Sequence, residues 1–251
     1  MGLFTPDEPY HGDAPRTGFD RYKQQLSDNA KRWMMVNLLT LAGAAPLAAG
    51  IFYAVASSSV LLLFPLSFLG GAVFGPFLAG MYDAVLRGLR DDPHSWWDNY
   101  KRAWKQNWCG SILPGAVFGM CIGLYAFMGM LFWWASTPPG FGTVTVYLFG
   151  LLLLLCVNSL YWPQLVLFRQ TNFLRLKNTL LFCVLYFWRV LGAGAVQVLY
   201  LALLVLFAPW TLLLLPVLGI WYILFLSQLI LYPKLDEAFH INDSFRTGED
   251  D

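Results

Sequence analysis

The sequence has few charged residues, and this scarcity argues against an ordinary soluble domain. Only 12% of its 251 residues are Asp, Glu, Lys or Arg, whereas 58% are hydrophobic. A soluble globular domain carries about twice that charged fraction. The apolar residues lie in long runs rather than in a helix-period stripe, which indicates burial in a bilayer. The net charge is +1, so no basic excess suggests a nucleic-acid partner.

Motifs that carry chemistry are also scarce. The sequence has no Walker motif and no His/Asp cluster with metal-ligand spacing. Its cysteines lack the paired spacing of a metal site, so we interpret them as small packing residues: Cys109, Cys121, Cys156 and Cys183. Asp91, Asp92 and His94 form an acidic turn for which a solvated role is favoured over a metal site. We therefore expect no enzymatic activity, no cofactor and no metal ion.

Six apolar runs are each close to or above the roughly 20 residues that cross a hydrocarbon core. They cover 33–56, 60–86, 111–136, 143–168, part of 179–207 and part of 210–232. We predict an all-α polytopic membrane protein with a bundle of six transmembrane helices over 33–232. The fifth run is long enough to tilt, bend or begin as an interfacial turn.

The predicted bundle is flanked by two polar segments. Residues 1–32 are expected to form a loosely ordered N-terminal tail that ends in a short amphipathic turn over 19–30. Residues 233–251 form the predicted C-terminal tail. The polar start MGLFTPDEPYHGDAPR predicts no cleavable signal peptide.

The charges of the loops predict the orientation of the bundle. The loops after spans one, three and five read SSS, STPPGFG and APW, and they contain no charged residue. The segments at the other end of the spans are rich in Lys and Arg. The positive-inside rule therefore predicts a plasma-membrane protein with both termini in the cytoplasm.

The segment between spans two and three, residues 87–110, is named the elbow here. Its aromatic residues recur at helical spacing and its cations take other directions, which predicts an amphipathic helix in the headgroup region. Two interpretations stay open: a plain interfacial anchor, or a docking surface for a cytoplasmic partner. The residues that carry either role are Trp97, Tyr100, Lys101, Arg102, Trp104, Lys105 and Trp108.

Small residues recur every fourth position on spans two and three. This spacing lets two helix backbones approach closely in lipid, so we expect these faces to touch each other or another close helix. A homodimer seam is the competing, less favoured interpretation. The glycines concerned are Gly71, Gly75, Gly115, Gly119 and Gly123.

Polar side chains within the spans are few and form a candidate intramembrane polar site. Asp83 and Arg189 lie near the predicted inner ends of their spans, where ionisable groups pair or line a polar cavity. Asp83 has two candidate partners, Arg87 and Arg189, and snorkelling to the interface is the alternative. Neutral polar groups lie deeper, at Asn37, Asn158, Gln197 and Gln228.

In several segments the chain resembles the YesL family, bacterial membrane proteins defined as a domain of unknown function. The resemblance runs along nearly the whole chain. It is carried by Met1-Gly2-Leu3-Phe4 with Pro9 and Gly12, Asn37-Leu38-Leu39, Gly75-Pro76, Gly80-Met81-Tyr82 with Arg87, Tyr100 to Trp108, Trp162-Pro163 and Leu176-Lys177-Asn178.

The resemblance implies an accessory role in sugar import, because such proteins are often encoded beside carbohydrate uptake systems. We therefore expect a non-enzymatic accessory or scaffold protein that contacts the lipid bilayer. A carbohydrate-transporter subunit, or a second copy of the chain, is its candidate partner. The rival hypothesis is a small-solute transporter or channel with a polar cavity. Convergence of the four neutral polar residues on one cavity would favour transport, and their dispersal would favour the scaffold.

Overall fold

The computed structural model describes residues 18–91, 95–239 and 241, and this part of the chain is helical without a strand. Eight α-helices and one 3₁₀ turn follow in order. They are α1 (Gly18–Ala56), α2 (Val60–Leu89), α3 (Trp96–Trp134), α4 (Phe141–Leu167), α5 (Asn172–Leu185), α6 (Phe187–Leu206), the 3₁₀ turn Trp210–Leu214, α7 (Leu215–Leu218) and α8 (Ile220–Phe239).

Six helical stretches are long and apolar enough to cross a membrane. These are Phe19–Ala56, Val60–Leu89, Trp96–Trp134, Phe141–Leu167, Phe187–Leu206 and Leu215–Phe239. The predicted all-α architecture with six spans is confirmed, and the protein is a multi-pass membrane protein. The fifth predicted run is divided at Tyr186 into α5 and α6.

The part of the predicted N-terminal tail from Gly18 onward is helical, because α1 begins at Gly18 and continues without a break to Ala56. Residues 19–32 are therefore the first turns of a 39-residue helix rather than a separate amphipathic turn. No Pro or Gly interrupts 19–42, so nothing in the local sequence stops the helix there. The opening residues of the resemblance, with His11, lie outside the described residues.

Polar contacts pin the first turns of α1 to the end of α2. Arg21 Nη2 lies 2.7 Å from Asp91 Oδ2 and donates a 2.8 Å hydrogen bond to the carbonyl of Leu89. Gln25 Nε2 donates to Asp91 Oδ1 at 2.8 Å. Asp91 has a positive φ of 58°, a conformation that Asp tolerates better than most residues. Arg21 thus binds a carbonyl that the end of α2 leaves without a helical partner.

The elbow does not form a separate helix. Its residues from Trp96 onward are the first turns of α3, which runs unbroken for 39 residues into the third span. The predicted interfacial amphipathic helix between spans two and three is therefore not confirmed. The residues nearest to the elbow that disfavour a helix are Gly110 and Pro114. An interior Gly costs a helix only about 1 kcal/mol, and tertiary packing in lipid accommodates Pro.

The charged segments meet at one end of the bundle, which is named the charged end here. Arg21 of α1 reaches Asp91 after α2, and Tyr82 of α2 stacks on Trp162 near the end of α4 at 6.3 Å. Phe168, which follows α4, lies 4.9 Å from Phe239 at the end of α8. The starts of α1 and α3 and the ends of α2, α4 and α8 therefore share this end.

Candidate functional site

The start of α3 turns part of its aromatic face toward the protein rather than toward lipid. Tyr100 is only 5% exposed, and a Cβ added at Gly80 would lie 2.5 Å from its ring. Trp104 is half-buried and packs edge-on against Phe77 at 6.0 Å. These two residues hold the start of α3 against α2, because Gly80 leaves room for the Tyr100 ring.

The other two elbow aromatics are exposed beside the cations. Trp97 and Trp108 are 37% and 39% exposed. Lys101 Nζ lies 5.4 Å from the centre of the Trp97 ring and 3.1 Å from Asp98 Oδ1. Arg102 is exposed and donates a 2.9 Å hydrogen bond to Asn99 Oδ1.

The cations line an open depression of about 400 Å³ on the exposed face of α3. Its walls are Asp98, Lys101, Arg102, Lys105 and Gln106. Three cations against one carboxylate give the depression a positive balance. Exposed ion pairs such as Lys101–Asp98 contribute about 0–1 kcal/mol, so an incoming carboxylate or phosphate can displace them at little cost. This surface, named the basic depression here, can bind an acidic group.

The glycine stripes of α2 and α3 face each other within the chain. A Cβ on Gly119 would lie 2.5 Å from the Cα of Gly71, and one on Gly115 would lie 2.6 Å from the Cα of Gly75. Gly123 faces the side chain of Ser67. Both stripes are occupied by this intramolecular contact, so neither is available there as a homodimer seam.

Asn37 is completely buried and bonds to the backbone at a helix break. Its side-chain nitrogen donates to the carbonyls of Leu215 and Pro216 at 2.9 and 3.1 Å, and its oxygen accepts from the amide of Ile220 at 2.9 Å. These groups flank the interruption at Gly219, between α7 and α8. Asn37 therefore satisfies backbone groups that the break leaves without helical partners.

Gln228 of α8 likewise bonds to a backbone group, in α4, that has no helical partner. Its Nε2 donates to the carbonyl of Ser159 at 2.8 Å. The helical partner of that carbonyl would be the amide of residue 163, which is Pro163 and has no N–H. Gln197 meets the same residue from α6, because its Nε2 donates to Ser159 Oγ. The two glutamines therefore converge on Ser159.

The remaining members of the predicted polar site lie elsewhere. Asn158 bonds along its own helix, donating to the carbonyl of Leu154 at 2.8 Å and accepting from Trp162 Nε1 at 3.0 Å. Asp83 pairs with Arg87 at 2.8 Å, the nearer of its two candidate partners. Arg189 is exposed at the start of α6. The four neutral groups are thus dispersed, with only Gln197 and Gln228 together.

The structure contains a buried polar cluster between α4 and α5 that was not predicted from the sequence. Arg175 is 4% exposed and donates to Asn172 Oδ1 at 2.7 Å and to the carbonyl of Gln170 at 2.9 Å. Gln164 donates to Thr179 Oγ1 at 3.0 Å. Arg175 and Thr179 share one face of a helix whose opposite face is apolar, and this asymmetry was the sequence signal for it.

The predicted acidic turn is described only in part. Asp91 pairs with Arg21, whereas Asp92 and His94 lie outside the described residues, as does His240. Among residues 18–91, 95–239 and 241, no group of three His, Cys, Asp or Glu side chains is placed to hold a metal ion.

Comparison with known proteins gives one match. Residues 32–128 match the protein family described as "Protein of unknown function, DUF624". No curated protein and no solved structure matches the chain. The match covers most of α1, all of α2 and most of α3, whereas Trp162-Pro163 and Leu176-Lys177-Asn178 lie beyond it. The YesL name and the link to sugar uptake stay predictions. The protein is a multi-pass helical membrane protein, and its residues 32–128 are similar to the DUF624 family of unknown function.

Proposed function

We propose that the protein is a non-enzymatic accessory or scaffold protein of the plasma membrane, and that it binds a cytoplasmic partner through the basic depression. The observation that carries this proposal is the exposure of Lys101, Arg102 and Lys105 around an open surface. Tyr100 and Trp104 hold this stretch rigidly against α2, so the cations are presented on a fixed helix face. A rigid surface loses little conformational entropy when it binds.

The use of the deep polar groups supports a scaffold over a transporter. Asn37 and Gln228 bond to backbone groups at a helix break and at a proline. Asn158 bonds to its own helix. Side chains committed to these bonds are not available to coordinate a solute without leaving buried backbone groups unsatisfied, which costs about 1–3 kcal/mol each.

The association with carbohydrate uptake is supported by the family resemblance alone. The partner we propose is a cytoplasmic, acidic surface of a carbohydrate-transporter subunit. Charge complementarity with the basic depression is the reason for choosing an acidic surface. Self-association through the same depression is disfavoured, because two copies would bring like charges together.

The test is co-purification from native membranes. The variant Lys101→Gln/Arg102→Gln/Lys105→Gln removes three charges from the basic depression and keeps hydrogen-bonding side chains of moderate length. We expect it to insert and fold normally, because six spans hold it in the bilayer. We expect recovery of the partner, and growth on the sugar that it imports, to fall at least tenfold. Partner recovery should also fall as salt is raised, since exposed charges are screened.

A matched control removes the same charge elsewhere at the charged end. Lys23, Lys31 and Arg169 are exposed, and their replacement by Gln leaves the basic depression intact. This control should keep both partner recovery and growth. Equal recovery of the partner with the two triple variants, at equal expression, would refute the docking proposal. It would show that the start of α3 is only an interfacial anchor.

A further inference from the structure

Helix α5 has an inverted pattern of exposure for a water-facing helix. Most of its exposed residues are apolar, with Phe173 80% and Val184 75% exposed. Its buried residues include the charged Arg175 and the polar Thr179. The other exposed apolar side chains of the helix are Leu174, Leu176, Leu180, Leu181 and Leu185.

The orientation of α5 about its axis is fixed by its buried hydrogen bonds. Arg175 Nη1 donates to Tyr161 Oη of α4 at 3.4 Å, and Thr179 Oγ1 accepts from Gln164 of α4 at 3.0 Å. The Arg175 guanidinium also lies 5.4 Å from the centre of the Tyr161 ring. Rotating α5 about its axis to bury its apolar face would break these contacts with Gln164 and Tyr161 of α4.

The position of α5 along the bundle is fixed by contacts in its middle and at its end. In the middle of the helix, Thr179 bonds to Gln164, which is close to the end of α4. Near its end, Phe182 stacks on Phe239 at 6.1 Å, and Lys234 lies 5.8 Å from the ring of Tyr186. These three contacts lie toward the charged end, so α5 runs across this end rather than down into the bundle.

Length agrees with this placement. Fourteen helical residues extend about 21 Å, which is too short for a hydrocarbon core of about 30 Å. The twenty residues of α6, which follow the break at Tyr186, extend about 30 Å and span without help from α5.

We propose that α5 is an interfacial helix whose apolar face rests on the acyl chains of the leaflet at the charged end. The occupant of this face is lipid, because the face continues directly into the exposed apolar start of α6 at Phe187 and Trp188. Lys177 shares the face with Phe173 and Leu181 at helical spacing, and a lysine there can extend its ammonium to the headgroups. This inference does not depend on the basic depression.

The test is site-directed spin labelling of the full-length protein in lipid vesicles. A nitroxide is placed by cysteine substitution at residue 173 or 181, in a chain whose four native cysteines are replaced by alanine. Leu199, which is 61% exposed in the middle of α6, is the lipid reference, and Lys105 is the water reference. We expect labels at 173 and 181 to collide with oxygen at least threefold more often than with a water-soluble nickel complex. Their depth should lie between those of the two references.

Two results would overturn the proposal. Nickel accessibility equal to that of residue 105 would place α5 in water. Spin–spin broadening between labels on two molecules would show that a second copy covers the face.

A photo-crosslinking side chain at residue 173, in a chain with its native cysteines, is an independent measurement. It should give lipid adducts rather than crosslinked dimers. Dimers, or the absence of any adduct, would count against the lipid-facing helix even if the cysteine-free chain folds poorly.

Discussion

At the residue scale, buried amide side chains bond to backbone groups that irregularities in the helices leave unsatisfied. Asn37 bonds to three backbone groups around Gly219. Gln228 bonds to the carbonyl of Ser159, which has no helical partner because residue 163 is a proline. No water is present in the hydrocarbon core to take these places, so a side chain must do so. A polar residue in a membrane helix can therefore indicate a structural need of a neighbouring helix rather than a transport path.

A double-mutant cycle tests this account of Gln228. Gln228→Met removes the donor to the Ser159 carbonyl at similar volume, and Pro163→Ala supplies a helical N–H to the same carbonyl. We expect Gln228→Met to be less harmful by about 0.5–3 kcal/mol in the Pro163→Ala background, because the carbonyl is then already bonded. Thermal or denaturant unfolding in detergent measures the four proteins. Strict additivity would show that the proline and the glutamine act independently.

At the element scale, the six spans could be predicted from the sequence because long apolar runs have few alternatives to a membrane helix. The helix ends and breaks could not. The chain near Tyr186 has no Pro, and its nearest Gly is Gly192, so the end of α5 depends on the packing of Arg175 and Phe182 against other helices. The continuity of α3 was missed because the charges at Lys101, Arg102 and Lys105 suggested a separate surface helix. A long helix can instead extend past the apolar layer.

The contact between α2 and α3 gives a prediction with a control on the same helix. Gly119→Leu should destabilise the bundle by about 1–3 kcal/mol or more, because its Cβ would lie 2.5 Å from the Cα of Gly71. A Cβ added at Gly110, also in α3, would meet no atom within 4 Å, so Gly110→Leu should be neutral or slightly stabilising. The measurement is the thermal midpoint in detergent. Equal midpoints for the two variants would contradict a close backbone crossing at Gly119.

At the scale of the whole molecule, charge is segregated along the bundle. The turns at Ser57–Ser59 and at residues 135–140 have no charged residue, whereas the opposite end holds the Arg21–Asp91 pair, the basic depression and the start of α5. The sequence predicted this segregation from loop composition alone, since each span reverses the direction of the chain. It did not predict that the cations of the elbow would lie on a helix packed against α2.

Membrane orientation is the prediction that belongs to this scale. A membrane-impermeant thiol reagent applied to intact cells should modify cysteines placed at Ser57 and Thr137, because the uncharged turns are predicted to lie outside. A cysteine at Lys105 should react only after the membrane is permeabilised. The background lacks the native cysteines, including the exposed Cys109 at the charged end. Labelling at position 105 in intact cells would show that the orientation is the reverse of the predicted one. It would also refute the proposal of a cytoplasmic partner, because the basic depression would then face the outside of the cell.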